Sequence, residues 1–358
     1  MPASTRTKTR DAAMPRPAGV TVWRTPGERI ALRWRRRPAA VASLLFLLLI
    51  PLGLGVLLTG TFEIGLGDLC AAAAGTAEPS IARVLGLIRA PRLVAGIAVG
   101  AALGVSGAVF QSITRNPLGS PDVIGFVTGA ATGAIVAILV FEAPPWAVSG
   151  AAVLGGVLTA LLVGGLSLRG GSGGGYRIVL VGIGAGALLA AVNDLLMTHS
   201  QRDEALAAQM WLVGTLNARD WSEVLPTLVA MVVLLPVLLG VRHGLAVLEL
   251  GEDQARQVGV RVGAVRLVAL AVAVALAAFA TATAGPIAFV ALAAPQLVTR
   301  IGKATSVSLV GSAAMGAVVL VTADLVSQHL PLNLSAPVGL VTGVLGGVYL
   351  LWLLGRGR

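Results

Sequence analysis

The chain has 358 residues, of which 56% are hydrophobic, only 12% are charged and 46 are glycine. Soluble domains carry roughly 25% charged residues, so this composition excludes a cytosolic enzyme; at about 20 apolar residues per crossing it supplies around ten membrane spans. The net charge of +10 is concentrated at the start, where ten of the 26 Lys and Arg precede residue 38, opposed only by Asp11 and Glu28.

That basic stretch ends in Arg35, Arg36 and Arg37, directly before a long apolar run. This is the pattern that holds an N-terminus in the cytoplasm, and it also suits anionic lipid headgroups, so the charge is no signal for nucleic acid. Residues 1–37 are expected to be a disordered cytoplasmic tail. A cleaved signal peptide is not expected, because no compact apolar region with a small-residue cleavage site follows at the usual distance.

Ten apolar runs are predicted as spans, at 38–58, 91–113, 123–141, 146–168, 178–198, 222–241, 264–284, 286–301, 307–328 and 337–354. Residues 60–90, with Glu63, Asp68 and Glu78, fall outside, and an even count leaves both termini inside. In this frame 21 of the 26 basic residues are cytoplasmic, leaving Arg83, Arg89, Arg92, Arg202 and Arg219 outside. The seventh and eighth spans are joined by little more than Ala284, Gly285 and Pro286. Residues 38–358 therefore read as one all-α membrane domain of about ten transmembrane helices.

Three glycine trios spaced by four, Gly96/Gly100/Gly104, Gly125/Gly129/Gly133 and Gly339/Gly343/Gly347, each put missing side chains on one helix face and favour a tightly packed bundle. Cys70 is the only cysteine, so there is no disulfide or metal spacing; it reads as a passive core residue. Neither lysine, Lys8 or Lys303, sits in a P-loop frame, so ATP hydrolysis by that route is not expected. The run from Gly170 to Gly175 reads as a flexible connector.

His199, His243 and His329 fall at span ends without partners at metal-ligand spacing, so no metal or cofactor is expected and no catalytic residue is assigned. Asn193, Asp194 and Asp324 are the candidates for intramembrane polarity, read as helix-end or interhelical hydrogen bonds rather than a proton relay. The longest interior polar segment, His243 to Arg266, sets Leu250, Ala255 and Val258 between charges. One or two short helices at the cytoplasmic surface, acting as a docking element, are expected there.

Arg89, Ala90, Pro91, Arg92, then Gly100, Ala101, Leu103, Ser106, Gly107, Gln111, then Asn116, Pro117, Leu118, Pro121 and Gly125 closely resemble the signature of the iron-chelate and vitamin B12 permease family of type II ABC importers. Leu250, Gly251, Ala255, Arg256, Gly259 and Val260 are similar to the family's coupling segment, with Val258 where leucine is usual. Ala284, Gly285, Pro286, Ile287, Phe289, Val290, Leu292, Pro295 and Arg300 resemble a third block, with Ala291 for a common glycine and Gln296 for a common histidine. Trp211, Gly214, Thr215, Leu216, Asn217 and the ending around Pro337–Gly339 and Gly346–Tyr349 look most like the ferric catecholate siderophore (enterobactin) branch.

The resemblance implies a permease subunit of the bacterial inner membrane that moves ferric siderophore inward. It would work beside an identical or homologous permease, with two ATP-binding subunits below and a periplasmic or lipid-anchored siderophore-binding protein above. Leu250, Gly251, Glu252, Asp253, Ala255, Arg256, Gly259 and Val260 would couple to the ATPase. Arg89 and Arg92 would dock the binding protein; a further family arginine is Gln328 here, which removes one contact unless the partner permease supplies it. Asn116, Pro117, Leu118, Gly175 and Tyr176 would form the cytoplasmic gate. Vitamin B12 or heme import by the same machinery is the alternative, followed by an ion-coupled secondary transporter, for which more intramembrane charge is expected.

Overall fold

The computed structural model describes residues 20–24, 31–122, 125–168, 174–304, 306–329 and 336–355. Strands β1 (Val20–Arg24) and β2 (Ala31–Arg35) pair antiparallel and lead directly into α1 (Arg36–Leu58). Then follow α2 (Leu66–Ala73), α3 (Pro79–Val84), α4 (Ala90–Thr114), α5 (Phe126–Leu139), α6 (Pro145–Leu168), α7 (Gly174–His199) and α8 (Arg202–Leu212). The chain continues through α9 (Trp221–Leu248), α10 (Glu252–Gln257), α11 (Val262–Ala284), α12 (Val290–Gly302), α13 (Leu309–His329) and α14 (Val338–Gly355).

Each predicted apolar run carries one helix. Seven of the described helices are long and apolar enough to cross a bilayer: α1, the joined helix Pro79–Thr114, α6, α7, α9, α11 and α13. α5 and α14 are shorter apolar helices, and α12 occupies the remaining apolar run.

Several boundaries differ from the sequence reading, for local reasons. The hairpin lies within the tail expected to be disordered; its strands are rich in Val, Thr, Trp and Leu, residues that favour extended backbone. The second span does not start at Pro91. A π turn at Leu85–Arg89 joins α3 to α4 and shifts the hydrogen-bond register, with the Ala90 N–H reaching the Leu85 carbonyl. The missing Pro91 N–H is thereby absorbed without ending the helix. α8 was not anticipated, α9 runs past residue 241 to Leu248 through Pro226 and Pro236, and Cys70 is exposed on α2 rather than buried. Of the connector expected at Gly170–Gly175, residues 170–173 lie outside the described residues, and Gly174 and Gly175 instead begin α7.

The eighth span is shorter than its apolar run. α12 has 13 residues, about 20 Å at 1.5 Å per residue, and cannot cross a hydrocarbon core of about 30 Å. The preceding Gly285–Phe289 segment is non-helical, with left-handed φ of 73° at Gly285 and 71° at Phe289. It survives because protein surrounds it: the Thr215 N–H reaches the Ala284 carbonyl at 2.7 Å, and the Phe289 ring lies where a Cβ on Gly346 would fall.

α4 and α13 form the centre of the bundle, with 78% and 72% of their spanning windows buried, against 17% for α1 and α7. Lipid tails are as apolar as leucine, so helix association rests on close packing and polar links. Gly100 and Gly104 supply the close packing: a Cβ on either would collide with the backbone of Gly316 or Ser312 on α13. Gly129 and Gly133 do the same for α5 against α6. In the third trio only Gly339 is closely packed; Gly343 and Gly347 face open space.

The helices have two distinct ends. At one end lie α10, the start of α1, the end of α4 and the end of α12, with Pro38 close to Gly302. The other holds α2, α3, α8 and the end of α1, with the Trp221 indole bound to the Gly86 carbonyl at 2.9 Å.

Candidate coupling segment and gate

α9 closes at Glu249 and the chain turns at Gly251, whose φ of 130° and ψ of 152° suit only glycine. α10 then runs six residues, with Glu252 and Asp253 in its first turn and Arg256 in its last, charges that complement the helix dipole. Arg256 reaches Glu252 at 3.0 Å and Asp253 at 3.1 Å, and Arg266 at the start of α11 binds Glu252 from the other side. The hydrogen bond from Arg266, opposed by burial and reinforced by the charges of Arg266, Arg256 and Arg115, holds the Glu252 carboxyl below its usual range.

Of the three apolar positions read in this segment, only Ala255 is buried, against Leu248 and Val262. Leu250 and Val258 are 69% and 67% exposed. One short helix is thus anchored by its middle and its acids, with an apolar side chain presented at each end. Gly259, φ 80°, and Val260 return the chain to α11.

The candidate gate turn lies beside it. α4 ends in left-handed Arg115, φ 50°, and the Asn116 side chain accepts the Leu118 N–H at 2.9 Å, fixing the turn. The Gln296 amide on α12 donates to the Pro117 carbonyl, and Gln111 donates to the Leu292 carbonyl at 3.0 Å. The turn and α12 are therefore fastened together at the α10 end. A cleft of about 370 Å³ runs between Arg115 and Leu250–Arg256. Gly175 and Tyr176 lie in the first turn of α7, with side chains outside the described set.

Arg89 and Arg92 lie together at the opposite end but differ in exposure. Arg89 is 5% exposed, donating to the Leu57 carbonyl at 2.6 Å and to the Phe62 carbonyl. It satisfies the Leu57 carbonyl in the last turn of α1, which has no helical partner of its own, and the Phe62 carbonyl in the segment that follows. Arg92 binds the Asp324 carboxylate, and the Gln328 amide donates to the same carboxylate at 2.9 Å. Asp324 is thus an interhelical link, as expected. Asn193 is buried and Asp194 exposed.

Sequence reasoning missed three polar side chains. Glu249 and Ser112 meet across α9 and α4 at 2.7 Å. Asp122 lies close to the Phe289 backbone, and its Oδ1 is buried without a partner among the described residues. A polar residue in a span would have betrayed Ser112 only as helix decoration. Asp122 sits in an irregular stretch that reads as an ordinary loop. The described residues hold no cluster of three or more His, Cys, Asp or Glu that could take a metal.

A family model, the FecCD transport family, matches residues 44–356. The chain belongs to the FecCD transport family. It is 40% identical over 302 residues to the ferric enterobactin transport system permease protein FepG of Escherichia coli K12, covering 84% of this chain and 91% of FepG. It is 36% identical to the cobalamin import system permease protein BtuC of Halobacterium salinarum, over 77% of this chain and 74% of that protein. It is 34% identical to the hemin transport system permease protein HmuU of Yersinia pestis, over 76% of this chain and 83% of that protein. The fold matches a solved metal-chelate-type ABC transporter in an inward-facing conformation with a TM-score of 0.79 and 26% identity, covering 89% of this chain and 99% of that one.

Proposed function

We propose that this chain is the permease subunit of an ABC importer that moves a ferric siderophore inward across the bacterial cytoplasmic membrane. ATP is hydrolysed on two separate subunits, and a second permease, identical or homologous, completes the pathway. The α10 end faces the cytoplasm in this reading, because Arg115, Arg242, Arg256, Arg261, Arg266, Arg300 and Lys303 all belong to it.

The observation that carries the reading is α10: a helix held rigidly by Ala255 and Glu252 while Leu250 and Val258 stay exposed beside the gate turn. Such a surface suits the ATP-binding subunit as its partner. At the other end, Arg89 and Arg92 are the arginines for a siderophore-binding protein, and Arg92 is the more accessible of the two, its guanidinium shared with Asp324 and its side chain 21% exposed. Small, weakly polar helix faces suit a large ligand that must be released rather than held. The siderophore assignment leans on the similarity to FepG.

The test is uptake of radioactive iron, offered as several siderophore chelates, in cells with and without the gene, alongside vitamin B12 and heme. Loss of one ferric chelate on deletion is expected. Unchanged iron uptake with lost B12 or heme uptake would keep the machine and overturn the substrate.

A further inference from the structure

Ser112 sits on the last turn of α4, 3% exposed, one helical turn before Asn116. Its Oγ donates to Glu249 Oε1 at 2.7 Å, the length of a charge-assisted hydrogen bond. Glu249 immediately precedes Leu250, so this single bond bridges the coupling segment and the helix that carries the gate turn. Clefts of about 550 Å³ and 340 Å³ lie around the pair, and both are lined by Ser112, Glu249 and Val307. The buried apolar residues Ile113 on α4 and Leu245 on α9 belong to the same core cluster, and the Ser112–Glu249 bond is the polar link between the two helices at the edge of that cluster.

Beyond it the connections continue. Arg115 lies against Gly251, and its charge acts on Glu252. Pro117 is held by Gln296, whose side-chain oxygen faces the Tyr349 hydroxyl on α14 at 3.4 Å. A displacement of α10 therefore has a continuous path of named contacts to the gate turn and onward to α14.

We propose that Ser112 and Glu249 are positioning residues that transmit movement of the coupling segment to the gate turn, so that ATP hydrolysis is converted into release of the chelate. This rests on the importer reading and adds the specific bond through which the two sites communicate. A double-mutant cycle measures the energetic coupling between the two residues.

The experiment uses the complete transporter in proteoliposomes with radioactive ferric enterobactin, measuring chelate moved per ATP hydrolysed. Ser112→Ala and Glu249→Ala are each expected to lower that ratio by about fivefold or more while hydrolysis continues, as for a coupling energy of about 1 kcal/mol or above. The double variant should fall no further than the lower single, and Ser112→Thr, which keeps the hydroxyl, should restore the ratio. Should Glu249→Ala fail to accumulate, Ser112→Ala, which removes one oxygen atom, carries the test. An unchanged ratio, or a double variant whose loss is the product of the two singles, overturns the proposal. Absence of ATP-driven uptake by the unaltered complex would instead overturn the importer reading.

Discussion

The Arg92 guanidinium grips the Asp324 carboxylate through Nε at 3.0 Å and Nη2 at 2.8 Å, tying α4 to α13 at the end opposite α10. The same two helices touch through Gly100 and Gly104 further along, so the central pair of the bundle is held by an ion pair at one level and by backbone approach at others. The Asp324 side chain is 3% exposed and Arg92 is 21% exposed, so the pair is only partly screened by solvent.

Removing one partner leaves the other charge unpaired. Asp324→Ala should therefore destabilise the purified permease by about 3 kcal/mol, the lower end for a buried pair because Arg92 retains some solvent. The double variant Arg92→Met, Asp324→Leu should recover most of that loss. Thermal unfolding in detergent or nanodiscs checks this, and equal melting temperatures for the single and double variants would contradict it.

The glycine positions predict opposite outcomes for one kind of change. Gly104→Val places atoms against the Ser312 backbone and should lower stability by about 1–3 kcal/mol or prevent accumulation in the membrane. Gly343→Ala meets open space and should leave the melting temperature unchanged or raised. The check is melting temperature and membrane yield of the two variants side by side.

The outward apolar residues of the coupling segment separate docking from folding. Leu250→Ser and Val258→Ser should weaken co-purification of the ATP-binding subunit by about tenfold together, as expected for interface anchors, without lowering the melting temperature of the isolated chain. Ala255→Asp, at a fully buried position, should lower both. Co-purification and thermal unfolding, measured on the same preparations, distinguish the two effects.

The Glu252 ion pair gives the segment a defined pH response. Its carboxyl is held below the ordinary value of 4.5, chiefly by the Arg266 hydrogen bond. A depressed carboxyl contributes stability that is complete above the unfolded value and is lost as pH falls through the folded value. Attachment of α10 should therefore be constant from neutral pH down to about 5 and loosen only below 4.5, and Glu252→Gln should be weaker throughout and lack that step. Hydrogen exchange of residues 252–257 across this range is the measurement.

The ten apolar runs were legible in the sequence because a span needs a long stretch without charge, and such stretches stand out in a chain with only 12% charged residues. The short helix α10 was legible for the complementary reason, a polar interval too long for a plain connector. What the sequence hid is local or distant in sequence. The join at Gly285 and Pro286 was readable, but its extension to Phe289 lies inside an apolar run, and the π turn before α4 leaves composition unchanged. Arg89 reads as a surface charge until α1 is seen to end beside it. Ser112 and Glu249 are 137 residues apart, and no periodicity brings them together.

On the proposed reading, this chain carries a ferric chelate across a membrane under the power of ATP bound at its α10 end. The direct measurement is reconstitution of the permease with its ATP-binding subunit in proteoliposomes, with ATP supplied only on the α10 side and binding protein with radioactive ferric enterobactin only on the other. Accumulation of the chelate on the α10 side, abolished when ATP is replaced by a non-hydrolysable analogue, is the predicted result. Accumulation that follows an ion gradient and ignores ATP would contradict it.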